Sequence, residues 1–276
     1  MLDALQMPFF QHALIAGVLI AISVGLIGPL TMANKMTFIS GSVAHSIYGG
    51  VGAAIFFGFS ILLGATVAAF IVAIIISFIS FKFSNRSDTI IGIVWAVGMA
   101  VGVILSDLTP GYNVDLMSFL FGSILAVESR DLLWMGLFDI VALCLVWYFY
   151  YDFMALSFDP VFAKVQGMKT WILYLLLLVL IAFTIVFAMR LVGLILVIAL
   201  LTMPSFSSEM YVKSLSSMMI VSILLSFFYI IVGLFLSYWY DLSTGASVIL
   251  VAAIGTLILY LIKDKYFEFC KTSFFR

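Results

Sequence analysis

Apolar residues in this chain come in runs of roughly the length needed to cross a lipid hydrocarbon layer, about 20 residues of helix. The runs fall at residues 13–32, 38–57, 60–81, 89–107, 132–151, 171–189, 191–206, 215–238 and 243–262, divided by charges, prolines and polar clusters. Their length and continuity predict helices, so the expected fold is all-α: a polytopic transmembrane helix bundle of about nine spans, with eight to ten compatible. A shorter apolar piece at 116–127 lies between acidic residues and is too short to cross. It reads as a surface or re-entrant helix, which is allowed at membrane depth only where protein covers it. Gly17, Gly25, Gly28, Gly64, Gly98 and Gly102 sit inside the runs. They are expected where helices approach closely, because lipid-embedded helices associate through tight packing and not through the hydrophobic effect.

Composition supports the same class. Of 276 residues, 66% are hydrophobic and 9% charged, against about 25% charged in soluble domains. Lipid must therefore cover most of the surface. Residues 1–276 are expected to form one membrane domain with little left outside it. Residues 1–11 lack a cationic n-region, so no cleavable signal peptide is expected. The two cysteines, Cys144 and Cys270, have no metal or disulfide spacing and read as buried thiols.

Sidedness follows from basic residues, which are retained on the cytoplasmic side. Nine spans with the N-terminus outside place Lys35, Lys82, Arg86, Lys164, Lys169, Lys213, Lys263, Lys265, Lys271 and Arg276 in inner loops. Only Arg130 and Arg190 remain outside, which accounts for all 12 basic residues. The C-terminus is then cytoplasmic. The net charge of −1 and the lack of any basic stripe argue against a nucleic-acid partner.

The inner loop at 152–170 stands apart. Ser157 or Asp159 can cap a helix start, Pro160 fits its first turn and Gly167 can close it. A short amphipathic helix over 160–166 is expected, with Val161, Phe162 and Val165 on its apolar side. It can rest among lipid headgroups or dock a soluble partner, and the residues alone leave both open. No P-loop occurs, and neither does a G-x-S-x-G, H-E-x-x-H or paired-cysteine motif. No catalytic residues are expected, and energy for any uphill work must come from an ion gradient or another subunit.

Five stretches, in order, resemble the permease subunits of bacterial ABC importers for divalent transition metals (zinc, manganese or iron). The first, Lys35-Met-Thr-Phe-Ile-Ser-Gly-Ser-Val-Ala-His-Ser-Ile-Tyr-Gly-Gly50, is similar to that family's R-M-S-x-I-G-D-A-x-x-H-A-x-x-P-G. The second, Val114-Asp-Leu-Met-Ser-Phe-Leu-Phe-Gly-Ser-Ile-Leu-Ala-Val-Glu-Ser-Arg-Asp131, is close to V-D-L-x-x-x-L-F-G-x-x-L-A-V-x-x-x-D. The third, Phe158-Asp-Pro-Val-Phe-Ala-Lys-Val-Gln-Gly167, looks like the segment that docks into the ATPase subunit. Val192-Gly-Leu-Ile-Leu-Val-Ile-Ala-Leu-Leu-Thr-Met-Pro204 and Tyr240-Asp-Leu-Ser-Thr-Gly-Ala-Ser247 complete the set.

The resemblance implies a fold like that of type II ABC importers in the bacterial plasma (inner) membrane. It implies a homodimer, two cytoplasmic ATPases that use the ATP, and an extracytoplasmic metal-binding protein. No tightly bound cofactor is implied; the metal ion is cargo. The 160–166 helix becomes a coupling helix, with Phe158, Asp159, Pro160, Phe162, Ala163 and Gly167 as its ATPase-facing motif. In the family an acid and a histidine four residues apart share one helix face, and a two-fold axis would duplicate them. Here the histidine is His45, while Gly41 stands at the acid position and Ser40 at the preceding glycine.

Two imidazoles alone make a softer, neutral transit site, which keeps a chelated metal or other small cargo open as an alternative. His45 can instead be a packed residue hydrogen-bonded to a neighbouring span. Asp139, inside a span, is expected either at the dimer axis or paired with a neighbouring helix, and Asp241 at an outer span end is a further pathway candidate. Asp107 and Asp115 are expected to be solvated end charges. Arg190 is expected as a surface anchor, or paired with Asp241 or Asp115, and His12 at the outer interface. A stand-alone carrier driven by an ion gradient remains the rival class; no self-similar halves of the kind such folds show are evident.

Overall fold

A computed structural model describes residues 8–82, 86–109 and 127–274, with side chains from residue 9 to 264 of these. The described residues form α-helices: α1 (Pro8–Ala33), α2 (Thr37–Ser46), α3 (Tyr48–Phe57), α4 (Ile61–Lys82), α5 (Ser87–Asp107), α6 (Ser129–Tyr148), α7 (Tyr150–Phe158), α8 (Pro160–Val165), α9 (Thr170–Val192), α10 (Leu194–Glu209), α11 (Leu215–Tyr240) and α12 (Thr244–Phe274). The 116–127 piece and Asp115 lie outside the described residues, save Val127.

Among the described residues, eight helical segments are long and apolar enough to cross a membrane, with α2 and α3 together making one of them. The ninth expected crossing is α10. It has 16 residues, about 24 Å at 1.5 Å per residue, short of a hydrocarbon layer roughly 30 Å thick. Gly193, at φ 84°, ends α9 two residues beyond Arg190 and so takes length from α10. Leu194, Val197 and Leu200 are fully buried, so protein covers most of this short helix and lipid need not match its length.

The bundle is built around α1, which packs against α6, α9, α10 and α11. α5 and α12 lie at the periphery and are the least buried spans. Interloop contacts agree with the sidedness read from charge. Asn34 of the α1–α2 turn bonds Ser157 beside α8, which puts both predicted inner loops on one side. Arg190 pairs with Asp131, and Ser129 lies 3.5 Å from His12, which joins predicted outer positions.

All six predicted glycines mark close approaches. A Cβ on Gly25 would lie 2.5 Å from Cα of Ile223, and one on Gly17 would meet Ile230 at 2.9 Å. Gly28 abuts Ser205 and the Leu201 carbonyl. α3 is clamped on two sides: Gly50 and Gly64 put α3 and α4 backbone to backbone, while Gly52 meets Gly102 of α5. Gly98 sits 2.8 Å, as a virtual Cβ, from Cα of Ser46. Cys144 corrects the expectation of a buried thiol: it is exposed on the outward face of α6. The packed face of this helix is taken by Leu132, Met135, Phe138, Ala142 and Val146, and Cys144 falls off it.

Gly102→Ala should therefore lower the thermal unfolding midpoint of the detergent-purified protein, because its methyl runs into the Tyr48 carbonyl, which cannot swing aside. Overpacking of this kind costs about 1–3 kcal/mol. Gly136→Ala, whose methyl would meet only Leu19 at 3.9 Å, should leave the midpoint unchanged. Equal midpoints for the two variants would contradict the clamp.

Candidate functional site: a capped cytoplasmic helix and a histidine face

α8 forms as its local sequence dictates. The Asp159 carboxylate accepts from the backbone N–H of Val161 (3.1 Å) and Phe162 (2.9 Å), and Pro160 occupies the first turn. These two orphan donors would otherwise need water. Gly167 closes the helix at φ 82°, and Met168 N–H reaches back to the Ala163 carbonyl at 3.1 Å. The observed helix ends at Val165, with Gln166 as its cap.

The outward side of α8 is apolar. Phe158 is 72% exposed, Val161 73%, Phe162 54% and Val165 80%. Ala163 is 0% exposed and faces the bundle, so it seats the helix and cannot itself touch a partner. Phe158 at the end of α7 and Val161, Phe162 and Val165 of α8 together make a small hydrophobic surface of the kind that meets a protein or a membrane.

The second cluster lies on α2. One turn separates Gly41 from His45, so they share a face. The helix breaks at Ile47, and the glycine-rich start of α3 that follows favours the break. The His45 ring stacks on Trp95 of α5 with centroids 5.0 Å apart and planes at 25°. Its Nδ1 is buried and has no hydrogen-bond partner, so the expected alternative of a bond to a neighbouring span is not realised at that atom. A Cβ at Gly41 would meet nothing within 4 Å.

Trp95 also lines an open, apolar groove of about 730 Å³, together with Phe38, Ala96, Met99 and Ala100. Ser40, Ser42 and Ser46 turn their hydroxyls back onto helix carbonyls, which leaves the imidazole as the polar feature of this face. Among the described residues no three His, Cys, Asp or Glu side chains converge on one point.

The remaining candidates disperse. Asp139 is 4% exposed and accepts a hydrogen bond from Ser23 of α1, so within the chain it takes the neighbouring-helix arrangement; its Oδ2 has no partner. Asp241 is exposed and adopts φ 52° as the left-handed C-cap of α11, a conformation that Asp tolerates better than most residues. Asp107 is exposed at the end of α5. Arg190, expected as a surface anchor or as a partner of Asp241 or Asp115, has its Nη1 3.3 Å from Asp131 Oδ1; Asp115 lies outside the described residues. Trp95 and the Asn34–Ser157 contact were not singled out by sequence, since each joins positions far apart in the chain.

These features can be set beside known proteins. The profile of the ABC 3 transport family matches residues 6–263. The chain is 46% identical to the uncharacterized membrane protein slr2045 of Synechocystis sp. over 258 residues, 94% of this chain and 92% of that protein. It is 33% identical to the manganese transport system membrane protein MntC of Listeria monocytogenes over 261 residues, 95% and 93% of the two chains. Among solved structures, PsaBC from Streptococcus pneumoniae, in complex with Fab, superposes with a TM-score of 0.87 at 32% identity, over 97% of this chain and 98% of that one. Matched from its first span to its last, this multi-pass membrane protein belongs to the ABC 3 transport family.

Proposed function

We propose that this chain is the permease of an ATP-driven importer of divalent transition-metal ions, with manganese as the first cargo to test and zinc and iron as its competitors. It works as a homodimer with two cytoplasmic ATPase subunits, which bind and hydrolyse the ATP, and it receives metal from an extracytoplasmic binding protein. The carrying observation is α8: a capped helix on a predicted cytoplasmic loop that, with Phe158 at the end of α7, presents Val161, Phe162 and Val165 at the surface. A permease without a P-loop needs such a contact to take up work done by an ATPase.

Metal passage falls to the α2 face. His45 offers an unpartnered imidazole nitrogen, a donor suited to divalent first-row metals. Among the described residues no three His, Cys, Asp or Glu side chains form a metal-holding group, and on this reading a two-fold partner supplies the second imidazole. Asp139 and Asp241 are secondary pathway candidates. Closure of the ATPases moves α8 and tilts the spans as rigid bodies, a transition that packed interfaces support.

Three outcomes follow. Phe162→Asp should weaken ATPase association roughly thirtyfold, the equivalent of about 2 kcal/mol for a buried anchor, as measured by co-purification and titration; unchanged association would contradict the coupling role. His45→Ala should abolish metal uptake in proteoliposomes while the complex still assembles, and normal uptake would remove His45 from the pathway. Gly41→Asp should fold normally, since open space receives its side chain. It should also shift metal-stimulated ATP hydrolysis to lower manganese concentrations by adding an anionic hard donor to the face. An unchanged concentration dependence would show that the face does not meet the ion.

A further inference from the structure

The α1–α2 turn and the end of α7 are joined by a polar contact that nothing in the local sequence announces. Asn34 Nδ2 donates to Ser157 Oγ at 2.7 Å and to the Leu30 carbonyl at 2.9 Å. Ser157 Oγ in turn donates to the Phe153 carbonyl at 2.7 Å. Ser157 lies two residues before Asp159, the N-cap of α8. We infer that the Asn34–Ser157 hydrogen bond is the strut that carries displacement of the α8 coupling helix into α2, the helix that bears His45. The inference rests on the coupling role proposed for α8.

Both ends of the strut are stiff. On one side, Asn34 N–H bonds the Leu30 carbonyl at 3.1 Å, Lys35 N–H bonds Met32 at 2.9 Å and Met36 N–H bonds Thr31 at 2.8 Å. Lys35 holds a left-handed conformation at φ 57°, which is strained for a non-glycine residue, and those bonds close the turn around it. Met36 is fully buried, and its carbonyl accepts from Ser40 N–H at 2.8 Å. The turn therefore runs straight into α2 through closed backbone hydrogen bonds. On the other side, Phe153 and Leu156 are buried, and α7 continues into α8 through the capped Asp159.

Apolar contact at Phe153 and Leu156 is non-directional and permits sliding. A hydrogen bond fixes distance and angle. The Asn34–Ser157 bond thus sets the register between the loop that α8 moves and the turn that starts α2. Asn34 acts through α2 and touches no cargo, so it is a positioning residue.

The test uses the reconstituted complex, with manganese uptake and ATP hydrolysis measured in parallel. Asn34→Ala and Ser157→Ala should each lower manganese moved per ATP hydrolysed by roughly fivefold, within the range of one net hydrogen bond, with ATPase assembly and basal hydrolysis retained. The double variant should be no worse than either single, because both remove the same bond. Ser157→Thr, which keeps the hydroxyl, should retain the wild-type ratio. A wild-type ratio in both alanine variants would overturn the strut while leaving the coupling role of α8 intact. So would an equal loss in Ser157→Thr and Ser157→Ala. Failure of any ATPase to assemble with the wild-type chain would overturn both.

Discussion

Hydrocarbon offers no hydrogen-bond partner to a peptide group, and that constraint shapes everything else in this molecule. Each segment at membrane depth closes its own backbone bonds as a helix. Helices in lipid then hold together through close approach, for which glycine is the means. The pairs Gly25–Ile223, Gly28–Leu201, Gly50–Gly64 and Gly52–Gly102 bring backbones into contact where a methyl group would separate them. The clamp on α3 bears on the proposed metal pathway. It fixes α2 and α3 between α4 and α5, and so fixes the face on which His45 stacks against Trp95.

Polar groups are then placed where they cost least. Serine and threonine hydroxyls inside the spans mostly return to helix carbonyls four residues back, as Thr31, Ser46, Thr184 and Ser207 do. Two kinds of site depart from this economy. One is the group of buried polar atoms without a partner, which includes His45 Nδ1 and Asp139 Oδ2 beside several serine and tyrosine hydroxyls. The other is the set of contacts at the span ends, Asn34–Ser157 on one side and Arg190–Asp131 on the other. Span ends are where wet and dry phases meet and where loops from distant parts of the chain can be tied.

Local features were legible in the sequence and distant ones were not. Asp159, Pro160 and Gly167 announce α8 because capping acts over three or four residues. The run lengths announce the spans, and the internal glycines their close approaches, because lipid imposes both. The one short span, α10, escaped its expected bounds since Gly193 resets the helix and the surrounding protein removes the need to match lipid thickness. The Arg190–Asp131 pair was not legible because partner choice depends on how α6 and α9 pack. Ser157 and Asn34 are 123 residues apart, beyond the reach of any periodicity. For His45 the sequence supplied the residue and the vacant acid position at Gly41; the stacked Trp95 and the unpartnered nitrogen needed the fold.

The sequence contains no P-loop, and in the proposed function the exposed apolar helix α8 is the place where an ATPase attaches. The most direct measurement compares uphill manganese uptake in two sets of liposomes. One set holds this chain with its cognate ATPase and ATP, and the other holds the chain alone under a proton or sodium gradient. Accumulation only in the first set is the predicted result. Accumulation driven by the gradient, with no ATPase present, would contradict the account at its root.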